Sequence, residues 1–99
     1  MNYLGKVKKG VQKTLFNSGI SSDINFSLTL PELKFGDAST NICLVGGKVL
    51  GVSPQDFFEK IKVELAKNLH EEVEKIEFVN GFINFYFTKN FVRTLLNPK

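Results

Sequence analysis

Cysteine is nearly absent: Cys43 is the one thiol in 99 residues, and tryptophan is missing altogether. A single thiol closes no internal bridge, and no Cys/His spacing of the metal-site kind accompanies it. Packing alone must therefore hold the fold, and a reducing, cytoplasmic setting is expected. Long apolar runs are also lacking. No stretch approaches the roughly 18–20 residues of a membrane span, and the N-terminal segment lacks the apolar core of a signal peptide, so a membrane partner is not expected. The lone histidine, His70, stands beside Glu71 and Glu72 with no nucleophile in view, which makes it a surface residue rather than a catalyst. Acid is missing from both ends. Residues 1–20 hold Lys6, Lys8, Lys9 and Lys13, and residues 85–99 hold Lys89, Arg93 and Lys99, leaving −4 for the middle of a chain whose net charge is +3. Base clustered in this way fits a polyanion partner such as RNA, and equally a lysine-rich helix face kept wet.

Phenylalanine is what the chain has in plenty. Ten Phe and a hydrophobic fraction of 42% suffice for one core, since each fully buried large side chain contributes roughly 1.5–3 kcal/mol. The length suits a single domain over residues 1–99. Leu4, Val7, Val11 and Leu15 recur at helical spacing, with Gly5 and Gly10 weakening the helix, and "NSGISSD" ends it. Phe26, Leu28 and Leu30 alternate with polar residues as a half-buried strand closed by Pro31. A loop with a second short strand is expected in "PELKFGD". Ala38, Ile42, Val45 and Val49 then form a helical stripe ending at Gly51. Ser53 is an N-cap, Pro54 suits the first helical position, and Asp56 can complete a capping box. Phe58, Ile61, Leu65 and Leu69 supply the buried stripe of that helix.

Asn80 and Gly81 separate "EVEKIEFV" from "FINFYFT", and this dipeptide suits a two-residue turn with positive φ at both central positions. The resulting register puts Ile76, Phe78, Ile83 and Phe85 on one face and Lys75, Glu77, Asn84 and Tyr86 on the other, with Phe82 and Val79 near the turn. Asn84 is expected on an open sheet face between Phe82 and Tyr86. With a short helix over Phe91 to Leu96, the order is α-β-β-α-α-β-β-α: an α+β, two-layer sandwich with an antiparallel sheet and helices on one face.

"FGDASTNICLVGGKVLGVSP" carries a Gly-Asp-x-x-x-Asn helix start, a Lys two turns on and a Ser-Pro restart, and "GFINFYF" carries a Gly-Phe-Ile-Asn strand. In this order and spacing they resemble the N-terminal additional domain of arginyl-tRNA synthetases, over nearly the whole chain. The resemblance implies a non-catalytic domain beside a class I catalytic body, touching an unpaired nucleotide of the dihydrouridine loop at the outer corner of tRNA(Arg). It implies tRNA contact by Phe82 and Asn84, with Phe87 and Lys89 as further candidates for the same surface; the hairpin register adds Tyr86 to that row but turns Phe87 toward the core. Gly36, Asp37, Asn41, Ser53, Pro54 and Gly81 are expected to be structural; Asp37 and Asn41 would satisfy free N–H groups at a helix start. The family often has Pro where Asn80 stands, and Gly46-Gly47 replace a larger residue and an Ala.

"GGK" at Gly46 to Lys48 is no phosphate loop, because Ile42 and Val49 stand where such a loop needs Gly and Ser or Thr. Neither the His-x-Gly-His nor the Lys-Met-Ser-Lys-Ser signature is present. The chain is thus expected to be an excised domain beginning at the true Met1, with no cofactor of its own and ATP used by the parent's catalytic body. A docking domain using the exposed aromatic sheet face is the alternative; an RNA-recognition-motif protein is disfavoured by the order of its elements.

Overall fold

In the computed structural model the chain is described for residues 3–20, 24–29 and 37–96. Its elements are α1 (Tyr3–Asn17), β1 (Leu28–Thr29), β2 (Ala38–Thr40), α2 (Ile42–Leu50), α3 (Pro54–Asn68), β3 (Val73–Val79), β4 (Phe82–Phe87) and α4 (Lys89–Leu96). This is the expected order. Pro31, Gly36 and Leu30 lie outside the described residues. The four strands form one antiparallel sheet in the order β1-β2-β4-β3, so the last strand of the sequence lies inside the sheet, between two neighbours.

The hairpin follows its turn chemistry. Asn80 has φ 51° and Gly81 φ 89°, and the pairs Val79↔Phe82, Phe78↔Ile83, Glu77↔Asn84, Ile76↔Phe85 and Lys75↔Tyr86 are those the two-residue turn requires. Ile83, Phe85 and Phe87 join the core, with Ile76 and Phe78 half-buried against it. Leu44 of α2 closes on the turn: a Cβ on Gly81 would meet Leu44 Cδ2 at 2.7 Å. The turn is thereby held against the helical layer.

Three segment assignments change. Ala38 belongs to β2 rather than to the helical stripe, because Ala38↔Phe85 and Thr40↔Ile83 pairing captures this stretch before α2 begins. In α2 the buried side is Ile42, Cys43, Gly46 and Gly47, while Val49 is exposed. In α3 the fully buried aromatic is Phe57; Phe58 is half-buried and stacks on Phe78 with ring centroids 5.1 Å apart. The cap at Ser53 is as expected, its Oγ accepting from Asp56 N–H at 3.1 Å with Pro54 at the first helical position. Cys43 is fully buried, and that burial pushes its thiol up to about 12.

Three of the glycines that weaken α1 and α2 in isolation stand where other parts of the chain come close. A Cβ on Gly46 would collide with the Phe57 ring, and one on Gly10 with Leu69; one on Gly47 would lie 2.7 Å from the Val52 carbonyl oxygen. Close approach replaces intrinsic propensity here. Polar groups reinforce the α1–α3 contact: Asn17 Nδ2 donates to Glu64 Oε2 at 2.8 Å, and Asn68 Nδ2 donates to the same oxygen and to Thr14 Oγ1, each at 3.1 Å.

Two consequences can be measured. Ala is the better helix former by up to about 1 kcal/mol, yet Gly46→Ala should lower stability by about 1–3 kcal/mol in urea denaturation, because the methyl group must displace a buried ring. An unchanged midpoint would show that Phe57 can move aside. Glu64 is held below the usual carboxylate range, first by the Asn17 hydrogen bond and further by Asn68 and the charges of Lys67 and Lys13. A depressed folded value means stability that is present above the unfolded value of about 4.3 and is lost as pH falls through the folded one. Thermal melts of the Glu64→Gln variant should show a weaker acid-side decline than those of the parent; superimposable acid limbs would refute the coupling.

Candidate nucleic-acid interface

The sheet surface opposite the helices is built by alternation. Because Ile83, Phe85 and Phe87 enter the core, Phe82, Asn84 and Tyr86 must point the other way. Ser39 of β2 stands opposite Asn84 on one side and Glu77 of β3 on the other, with Lys75 opposite Tyr86. The row is the one expected from the register.

Its exposure is not uniform. Phe82 is 42% exposed, whereas Asn84 is only 4% exposed, which corrects the expectation of an openly wet amide. The cause is β2: the hairpin alone leaves one side of β4 free, but Ser39, itself 6% exposed, closes it. Among the described residues the Asn84 amide makes no side-chain hydrogen bond, and its polar atoms are nearly but not fully enclosed. Glu77 does not pair with it. Its Oε1 accepts from the Tyr86 hydroxyl at 3.0 Å, and this bond is the main cause raising the Tyr86 phenol above its ordinary value. Lys75 Nζ lies 5.0 Å from the centroid of the same ring. Tyr86 is therefore held at its hydroxyl by Glu77 and over its ring by Lys75, half-buried on the same face as the amide.

Asp37 positions this strand. It was expected to serve a helix start; instead its N–H donates to the Phe85 carbonyl oxygen and its Oδ2 accepts from Phe87 N–H, both at 2.8 Å. It clamps the end of β4, because β2 stops where those two groups need partners. Asn41 does precede α2, and its carbonyl accepts from Leu44 and Val45 N–H. Its side chain makes no cap bond; Oδ1 accepts from Ser27 N–H at 2.7 Å, tying the strand region to the helix start, and Thr40 Oγ1 accepts from Ile42 N–H at 3.2 Å.

Phe87 leaves the candidate surface. It is 7% exposed and packs edge-on against Phe91 with centroids 4.9 Å apart, as the register requires and contrary to the contact implied by family resemblance. Lys89 is exposed at the first position of α4. Lys75 lies on the same surface as the register required, whereas Ser39 belongs to it without having been singled out, because the strand character of "AST" was hidden by its helical spacing with later residues.

Among the described residues no helix is long and apolar enough to cross a membrane, and no three metal-binding side chains are grouped. Residues 4–87 match the family described as Arginyl tRNA synthetase N terminal domain. The arginine–tRNA ligase of Methanocaldococcus jannaschii is 35% identical over 86 residues, covering 85% of this chain and 15% of that protein. Those of Pelodictyon phaeoclathratiforme and Prosthecochloris aestuarii are 34% and 37% identical over 84 residues, each covering 83% of this chain and 15% of the ligase. The chain thus spans about 15% of the length of these curated relatives. With the Gly-Phe-Ile-Asn strand set in its sheet and the match running through both helix starts, the chain belongs to the arginyl-tRNA synthetase N-terminal domain family.

Proposed function

We propose that this chain is a non-catalytic tRNA-recognition domain of an arginine–tRNA ligase. It receives an unpaired nucleotide of the dihydrouridine loop, at the outer corner of tRNA(Arg), while a catalytic body carries out ATP-dependent arginylation. The observation that carries this reading is the Asn84 amide, nearly enclosed and without a side-chain hydrogen bond among the described residues, on the same strand face as the exposed ring of Phe82. An aromatic face stacks on any base, and a primary amide offers a donor and an acceptor to a base edge or a 2′-hydroxyl. Enclosure sharpens the second contact: an amide held by sheet neighbours loses little freedom on binding, and one that finds no matching edge stays unpaired.

Docking of another protein on this face has less support. Among the described residues Phe82 is the one largely exposed big apolar side chain there, and Ser39, Lys75 and Glu77 surround the row. That is no contiguous apolar patch.

Binding of a tRNA(Arg) transcript by this chain tests the reading. Removing a stacking ring is worth roughly 1–3 kcal/mol per base, so Phe82→Ala should weaken binding by about 5- to 150-fold. Asn84→Ala should weaken it too, with circular dichroism confirming that the sheet survives. Full-strength binding by a folded Phe82→Ala variant would exclude the stacking role.

A further inference from the structure

The long free edge of the sheet belongs to β3. In the order β1-β2-β4-β3 it is a terminal strand of seven residues, whereas β1 at the opposite end has two. In a hairpin closed by a two-residue turn the closing pair, here Val79↔Phe82, exchanges its backbone bonds within the hairpin, and bonded and non-bonded pairs then alternate. Glu77 and Lys75 therefore bond inward to Asn84 and Tyr86, and the N–H and C=O groups of Ile76 and Phe78 point out of the sheet. Among the described residues no strand takes them up. Beside that edge runs a groove of about 820 Å³ between β3 and α3, with Phe58, Val63, Ala66, Val73 and Ile76 in its lining. Val63 is 76% exposed, more than any other large apolar side chain among the described residues. Edge and groove lack cover at the same place.

The order of charges along β3 says what fits there. When two copies pair antiparallel with their helices on the same side, residues directly opposite share a face. Centring such a pair on Lys75 or on Glu77 sets that residue against itself, and centring it on Phe78 leaves both charges facing uncharged residues. Centring it on Ile76 sets Lys75 of each copy against Glu77 of the other, on the open face, and Ile76 against Ile76 on the helical face. Opposite charges directly across a ladder stabilise it, and like charges weaken it. The same register brings the outward backbone groups of the two Ile76 residues together. Lys75 is exposed, and Glu77 uses Oε1 alone on the Tyr86 hydroxyl, so both can make the new pairs. A charged residue and a bulge discourage an unrelated strand at this edge. The bulge between Val73 and Lys75 lies outside the three central pairs, and a second copy answers the charge.

We infer that two copies of this chain join through β3, antiparallel and centred on Ile76, so that their sheets become one and their α3 grooves face each other across the twofold axis. One patch meeting itself is the usual form of a two-copy interface. Self-pairing of β3 does not rest on the nucleotide reading.

Sedimentation equilibrium of this chain at rising concentration tests the interface. The mass should climb from one chain toward two. Glu77→Lys and Lys75→Glu each set like charges opposite and should hold the chain as a monomer. The double exchange Lys75→Glu/Glu77→Lys restores opposite pairing and should dimerise as the parent does, although it too has lost the bond from Tyr86 to Glu77. Circular dichroism checks that each variant is folded. Val63→Asp, at an exposed position outside the core, places a charge in the facing grooves and should weaken the dimer without touching the sheet. A parent that stays a monomer at every concentration overturns the inference. So do dimers that persist in both single-charge variants, a folded double exchange that stays monomeric, or an unchanged dimer Kd in Val63→Asp.

Discussion

Everything on the candidate surface depends on the parity of β4. A strand sends successive side chains to opposite faces, so the two-residue turn at Asn80 and Gly81 decides at once that Ile83 and Phe85 enter the core and that Asn84 does not. A slip of one residue would turn the amide into the core and expose two core side chains. The apolar face penalises that slip, the turn residues disfavour it, and Leu44 pressing on Gly81 leaves no room for a larger loop residue. Core burial and placement of the polar row are therefore one event.

The helical layer gains its closeness from residues that look like weaknesses. Gly10, Gly46 and Gly47 each cost their helix up to about 1 kcal/mol in isolation, but they stand where Leu69, Phe57 and the Val52 carbonyl approach. Dispersion falls off steeply with separation, so bringing a ring onto a bare helix backbone recovers contacts that a methyl group would hold apart. Read along the chain, a glycine in a helix shows only its penalty. Its partner lies far off in sequence, and the compensation becomes visible only once that partner is placed.

The same distinction explains which features were legible. The hairpin register, the Ser53–Pro54 helix start and the order of elements follow from contacts within a few residues, or from a repeating period. Non-local features were not readable. The burial of Asn84 comes from Ser39, 45 positions away, and the role of Asp37 from β4 backbone groups left unpaired where β2 ends. Phe57 rather than Phe58 fills the core because Gly46 makes room for its ring. In each case periodicity placed a residue on roughly the right side, and a second element decided how deeply it sank. Phe87 was the instructive conflict: its parity pointed inward, family resemblance pointed outward, and parity prevailed.

A nearly closed amide suits recognition better than an open one. In free water an asparagine is satisfied by solvent, and exchanging that solvent for a base edge gains little, since the net value of a hydrogen bond is about 0.5–1.5 kcal/mol. Between Ser39 and Glu77, with Tyr86 fixed by its bond to Glu77 and by Lys75 over its ring, the Asn84 amide has few alternatives and a set direction. A matching edge then gains a bond at little entropic loss, while a mismatched edge leaves a poorly hydrated group unpaired. In the proposed contact the exposed Phe82 ring would supply affinity without such selectivity, because every base has a face to stack. On the proposed reading, enclosure of one side chain and exposure of its neighbour two positions away would divide discrimination from adhesion along a single strand.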